Sequence, residues 1–167
     1  SRKLFTTNRL GFFRVLSPGF RCELREFCIL RHMAPQLLQK YPLVSDQVNE
    51  REVQIILDVL SKALDQTSDG AVVEFGCYVG TTSLFIARLL TMQNSTREFH
   101  VYDSFEGLPE KHAEDQSRAG DQFTVGTLHA TKKQFVLHFK KAGLKLPHIH
   151  KGWFHELRTE DVPPRIA

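Results

Sequence analysis

One stretch of this sequence constrains the fold more than any other, because a short apolar segment, a glycine turn and an apolar helix follow one another. Residues 71–75, Ala-Val-Val-Glu-Phe, are typical of a strand that is buried on both faces. Gly76 and Gly80 bracket a turn, and the following residues predict a buried helix with Thr81 and Thr82 as candidate N-caps. A strand, a glycine turn and a helix form half of a nucleotide-binding unit.

The rest of the chain alternates helix and strand patterns around this unit. Apolar residues at helical spacing predict helices over residues 46–67 and 130–142, the second ending at Gly143, and short apolar runs predict strands over 98–102 and 147–151. Residues 104–129 form a long polar connection, and residues 163–167 are expected to begin a fourth strand. This alternation predicts an α/β fold, a Rossmann-like three-layer sandwich that stops after its third strand.

Length and charge divide the chain into a core domain and an arm. A chain of 167 residues with 41% hydrophobic residues supports one hydrophobic core, which we place in residues 46–167. Residues 1–45 carry eight Lys or Arg against two Glu, with phenylalanines among them. Such an arm could meet an anionic surface, but its aromatic residues follow no sustained helical period. We therefore favour a packing or oligomerisation arm over a nucleic-acid or lipid binder.

Cysteine usage and apolar runs indicate a cytoplasmic protein. The three cysteines, Cys22, Cys28 and Cys77, are an odd number without a C-x-x-C pair, which argues against a disulfide framework or a cysteine zinc site. No apolar run approaches the roughly 20 residues of a membrane span, and charged residues interrupt the N-terminal segment. We expect neither a membrane span nor secretion.

The turn after the first strand favours a nucleoside ligand that carries positive charge. It lacks the lysine of a phosphate-binding P-loop, and Tyr78 replaces a glycine that the dinucleotide fingerprint requires. A carboxylate at Glu74 instead suits the sulfonium and ammonium groups of S-adenosylmethionine. Asp103, at the end of the second strand, lies where an acidic residue accepts the ribose hydroxyls of a bound nucleotide, although it could also cap a turn.

Four strings together resemble the macrocin O-methyltransferase family: V-E-F-G-C-Y-V-G-T-T-S at residues 73–83, V-Y-D-S-F-E-G-L-P-E at 101–110, G-D-Q-F at 120–123 and K-G-W-F at 151–154. Members of that family methylate sugar hydroxyls of small natural products. The resemblance implies that Glu74, Gly76 and Gly80 form the methionine side of the cofactor site, with Ser83 near it, and that Asp103 binds the ribose. It also implies that Ser104 and Phe105 flank the adenosine and that Gly152 and Trp153 close the adenine side.

The resemblance further implies a catalytic half that the printed sequence does not contain. In the family, a strand that begins like Arg165-Ile166-Ala167 leads to an acidic D-x-D segment that holds a divalent metal, with magnesium the expected ion, and supplies the base. Residues 46–167 would then be the cofactor-binding half of an O-methyltransferase for a small-molecule acceptor. A cofactor-binding module without turnover, and a nucleotide-dependent oxidoreductase, which Tyr78 disfavours, are the alternatives.

Histidines near the third strand offer a rival site. His148 and His150 are two residues apart in a strand and so share a face, and His155 follows. Three imidazoles could bind zinc, but solvated histidines at a strand edge are commoner, and we assign no metal ligand here. Cys77 is expected to be a small packing residue, because no basic residue adjoins it to lower the pKa of its thiol.

Overall fold

The computed structural model describes residues 33–111 and 124–167, and three parallel strands form its sheet. The helices are α1 (Met33–Lys40), α2 (Glu50–Gln66), α3 (Thr81–Met92) and α4 (Lys132–Ala142), and the strands are β1 (Val72–Phe75), β2 (Phe99–Asp103) and β3 (His148–Lys151). Two short 3-10 turns, Phe154–Glu156 and Thr159–Asp161, follow β3. None of the described helices is long and apolar enough to cross a bilayer.

Local sequence signals explain where two of the helices begin and end. Asn49 caps α2. Its side chain accepts a hydrogen bond from the Glu52 amide, and the Glu52 carboxylate accepts one from the Asn49 amide. The same reciprocal pair starts α4 between Thr131 and Gln134. Gly143 ends α4 in the left-handed conformation, at φ +66°, as its position predicted.

The sheet order is β1-β2-β3, and parallel pairing brings the carboxyl ends of the strands to one edge. Phe75 pairs with Tyr102, and Tyr102 pairs with His150, so these three side chains share one face. The opposite face carries Glu74 and the fully buried Val101. The predicted α/β architecture is confirmed.

The start of α3 differs from the prediction. Gly80, at φ +93°, is the N-cap, and Thr81 and Thr82, the predicted caps, lie inside the first turn. Thr81 is buried, and its hydroxyl lies 2.8 Å from the Ser45 hydroxyl. The physical reason is space, because a Cβ at Gly80 would lie 2.9 Å from the Phe135 ring of α4. A cap with a side chain would force Phe135 to shift.

The two ends of the described chain extend this core. Helix α1 lies within the stretch predicted as the arm, yet Met33, Ala34 and Leu37 are buried and the helix packs against α2 and α3. The compact unit therefore begins at Met33. The arm prediction for residues 1–32 lies outside the described residues. At the other end, Ile166 forms a single parallel bridge with Ala71, beside β1, where the fourth strand was expected.

Candidate functional site

A cavity of about 300 Å³ opens where the carboxyl ends of the three strands meet. Its wall comes from the segments that follow β1, β2 and β3 and from the far end of the long connection, at Leu128. The wall is mostly apolar, with few polar groups. Ligands of open α/β sheets bind at this edge, and the volume is within the range of small-molecule pockets.

Asp103, at the end of β2, accepts hydrogen bonds from the segment after β1 and from the segment after β2. Its Oδ2 accepts from the amides of Cys77 and Tyr78 at 2.7 and 3.0 Å, and its Oδ1 accepts from the Phe105 amide at 2.7 Å. A carboxylate offers about four lone-pair sites, so about one remains for a ligand in the cavity. Asp103 therefore both shapes the glycine turn and offers the cavity one further acceptor.

Glu74 and Ser83 form a pair behind the same turn. The Ser83 hydroxyl, fully buried in α3, donates to Glu74 Oε2 at 2.5 Å. Burial raises the pKa of Glu74 from 4.5 to about 7; the Ser83 hydrogen bond opposes the shift and the charge of Asp103 adds to it. Burial thus favours the protonated form of this carboxyl, and a cation placed beside it would favour the charged form.

The two glycines of the turn have different neighbours. Gly76 lines the cavity at φ +78°, and a Cβ there would meet only the Phe154 ring, at 3.9 Å. The missing side chain therefore leaves open space on the cavity side. Gly80 instead faces the fully buried Phe135, so it serves the packing of α3 on α4.

The residues predicted for the site divide into two groups. The cavity wall brings together Gly76, Asp103, Ser104, Gly152 and Trp153. The other four lie behind that wall or in the core: Glu74, Gly80, Ser83 and Phe105. The buried Phe105 ring packs against Phe135 with its centroid 5.9 Å away, so the structure does not place it beside a ligand in this cavity.

Seven wall residues were not among the predicted site residues: Tyr78, Gly107, Leu108, Pro109, Leu128, Phe154 and His155. Signals for several existed, since residues 107–109 belong to the D-S-F-E-G-L-P string and Phe154 to K-G-W-F. Leu128 had none, because long-range pairing brings it in: the Leu108 amide donates to Thr127, and the Gly126 amide donates to Leu108. The G-D-Q-F string at 120–123 lies outside the described residues.

These residues fit S-adenosylmethionine in shape and charge. The open space at Gly76, the remaining acceptor of Asp103 and the apolar wall at Leu108, Pro109 and Trp153 lie around one cavity. Tyr78, at φ +50°, occupies the wall where a dinucleotide site needs a glycine. The arrangement suits a nucleoside without a pyrophosphate.

The same residues do not fit a magnesium ion. Magnesium needs oxygen ligands in octahedral geometry, and Asp103, the one carboxylate among the described residues of the cavity wall, already accepts hydrogen bonds from three backbone amides. Cys77 is buried, and burial, Asp103 and Glu74 all raise the pKa of its thiol, so it has no nucleophilic character. The described wall of this cavity therefore offers neither a magnesium site nor a nucleophilic thiol.

The chain is similar in sequence and in fold to known proteins. The sequence profile of the macrocin-O-methyltransferase (TylF) family matches residues 40–164. The fold is similar to that of the O-methyltransferase NovP, with a TM-score of 0.57 and 20% sequence identity over 69% of this chain and 50% of that one. The calicheamicin methyltransferase CalS11 is similar over 77% of this chain and 51% of its own, at 18% identity and a TM-score of 0.44. The chain thus spans about half the length of these two proteins. A search of curated proteins found no match.

Proposed function

The chain belongs to the macrocin O-methyltransferase family, and from this membership we propose that it binds S-adenosylmethionine for methyl transfer to a hydroxyl of a small molecule. The observation that carries the proposal is the position of the cavity: the segments that resemble the family's motifs after β1, β2 and β3 line one pocket. Residues 46–167 are then the cofactor-binding half of the enzyme, and a sugar hydroxyl is the proposed acceptor. The proposed location is the cytoplasm.

Each residue near the cavity has a defined part in this proposal. When bound, S-adenosylmethionine supplies an electrophilic methyl group on a sulfonium sulfur. Gly76 leaves room for the ligand beside the turn, and Asp103 accepts one ribose hydroxyl while holding the turn amides. Glu74 supplies negative charge on the methionine side, with Ser83 fixing its orientation. Alignment of the donor is the contribution of these residues to the rate.

Magnesium and the catalytic base are proposed for the whole protein, outside this cavity. Calorimetry with S-adenosylhomocysteine, beside transfer of labelled methyl groups to a panel of sugars, tests the proposal on the whole protein. We expect one binding site and turnover with at least one acceptor. Binding without turnover on any acceptor favours the alternative of a non-catalytic module. Binding of NADH in preference to S-adenosylhomocysteine contradicts the proposal.

A further inference from the structure

A histidine cluster lies on the sheet at the end opposite to the cofactor cavity. His100 on β2 pairs in register with His148 on β3, and their ring centroids are 4.6 Å apart. Glu98, just before β2, reaches the same place, with its Oε2 3.3 Å from His100 Nε2. Glu98 and Asp103 of the cavity wall are separated along the strand by about 16 Å, because each residue of a strand spans about 3.3 Å. The cluster is therefore separate from the cavity.

The spacing of these groups matches a metal site. Candidate ligand atoms of Glu98, His100 and His148 all lie within 4.8 Å of one another. Ligands about 2.0–2.1 Å from a tetrahedral zinc are about 3.3 Å apart, which is the distance between the Glu98 oxygen and the His100 nitrogen. The His148 ring is nearly parallel to that of His100 and must turn about its Cβ–Cγ bond to share a cation. Its exposure leaves it free to do so.

A fourth residue orients the central ligand. His150 Nε2 lies 3.1 Å from His100 Nδ1, on the side of the ring away from Glu98. A histidine that binds a metal through one nitrogen commonly donates its other N–H to an acceptor, which fixes the ring. His150 itself is held by stacking on Tyr102, with centroids 4.2 Å apart. With a cation on Nε2, His100 would donate from Nδ1 to His150.

We propose that Glu98, His100 and His148 bind one zinc ion, with His150 as the positioning residue. Two imidazoles and one carboxylate select zinc over magnesium or calcium, which take oxygen ligands. Three protein ligands leave the fourth position open to water. The His100 side chain is only 12% exposed, so the surrounding residues hold it in place. The Glu98 side chain is 67% exposed and closes over the ion from the solvent side. A cavity of about 140 Å³ beside Glu98 and His148 gives the ion access.

This site differs from the trio that the sequence suggested. His148 and His150 do share a face, but His155 lies in the wall of the cofactor cavity, near Trp153. His100 and Glu98 were missed because strand pairing, rather than chain proximity, brings them beside His148. The inference concerns a different cation from the magnesium proposed for catalysis and does not rest on the proposed function.

Zinc titration of the metal-free protein against a chromophoric chelator tests the site, with the visible spectrum of the cobalt-loaded protein as a second readout. We expect the protein to bind one equivalent of zinc tightly and to give a tetrahedral cobalt spectrum. Excess magnesium should alter neither result. His148→Ala and Glu98→Gln should each weaken zinc binding by more than about 100-fold. Losing a residue that only hydrogen-bonds a ligand costs about 10–100-fold, and losing a ligand itself costs more. His150→Phe keeps the stacking ring and should cost about 10-fold.

His129→Ala is the matched control, since His129 is an exposed histidine outside the cluster and its removal should leave zinc binding unchanged. His148 and Glu98 are also exposed, so circular dichroism should show folded variants. The proposal is overturned if the wild-type protein binds no stoichiometric zinc. It is equally overturned if His148→Ala and Glu98→Gln both bind zinc as the wild type does, because the ion would then lie elsewhere.

Discussion

At the scale of single residues, the Asp103 carboxylate accepts hydrogen bonds from three backbone amides, and in the proposed function it also binds the ligand. Replacement by alanine leaves the amides of Cys77, Tyr78 and Phe105 without their acceptor. We expect Asp103→Ala to lower the free energy of unfolding by about 1–3 kcal/mol and to weaken S-adenosylhomocysteine binding by a similar amount. Urea unfolding and calorimetry measure the two effects separately. Glu106→Ala, which removes only the exposed ion pair with Lys151, is the control and should change neither.

Glu74 should make stability depend on pH in an unusual direction for a carboxyl group. Its pKa is about 7 in the folded chain against an ordinary value of 4.5, so between these values the folded state holds a proton that the unfolded state has released. The contribution of Glu74 is therefore fully present below pH 4.5 and is lost as the pH rises through 7, by about 3 kcal/mol at most.

The variant Glu74→Gln removes this dependence while keeping an acceptor for Ser83. Compared with the wild type, it should be relatively more stable at pH 8 than at pH 5. Urea unfolding of both proteins across this range gives the difference, in which the contributions of other titrating groups cancel. A constant difference across the range would show that the Glu74 pKa is not raised.

The sequence indicated these carboxylates but not all of their partners. A carboxylate near a strand end is visible as a pattern, and Glu74 and Asp103 were predicted from position, charge and the family resemblance. The hydrogen bonds from Cys77, Tyr78 and Phe105 to Asp103 depend on the path of the turn. That path includes a left-handed conformation at Tyr78, which the residue type does not predict.

At the scale of elements, one contact sets how α3 packs on α4. Gly80→Ala would place a Cβ 2.9 Å from the Phe135 ring and put alanine at φ +93°. We expect a loss of about 1–3 kcal/mol in the free energy of unfolding. Gly143→Ala is the matched control, since Gly143 is also left-handed but has no atom within 4 Å of the added carbon. It should cost less, about 1 kcal/mol, and equal losses would mean that Phe135 moves aside freely.

The same contact explains which element boundaries the sequence could predict. Helix α2 was predicted from its apolar period, and the end of α4 from Gly143, because these signals are local. The cap of α3 was assigned to the wrong residues because it depends on Phe135, more than 50 positions away. Helix α1 went unpredicted because its eight residues, with Pro35 near the start, carry too short a period to stand out.

At the scale of the whole molecule, the cavity and the catalytic groups are separable. Among the described residues, the cavity wall carries one carboxylate, Asp103, and its hydrogen bonds to three backbone amides leave it unsuited to magnesium. The polypeptide of residues 1–167 should therefore bind S-adenosylhomocysteine with one site and show no methyl transfer, even with magnesium added. Calorimetry and a labelled-methyl assay check both halves of this expectation. Turnover by this polypeptide would place the base within residues 1–167.

Strand β1 should make that polypeptide self-associate. In the described sheet, β1 pairs fully with β2 on one side and, on its other side, only at Ala71. Phe75, at its end, is 51% exposed. Free amides beside an exposed apolar side chain form a template for association.

Light scattering should show concentration-dependent oligomers, and Phe75→Lys should reduce them. Leu137→Lys, which removes a similarly exposed residue from α4 at 45%, should not. A monodisperse monomer that melts cooperatively would mean that this edge is already protected.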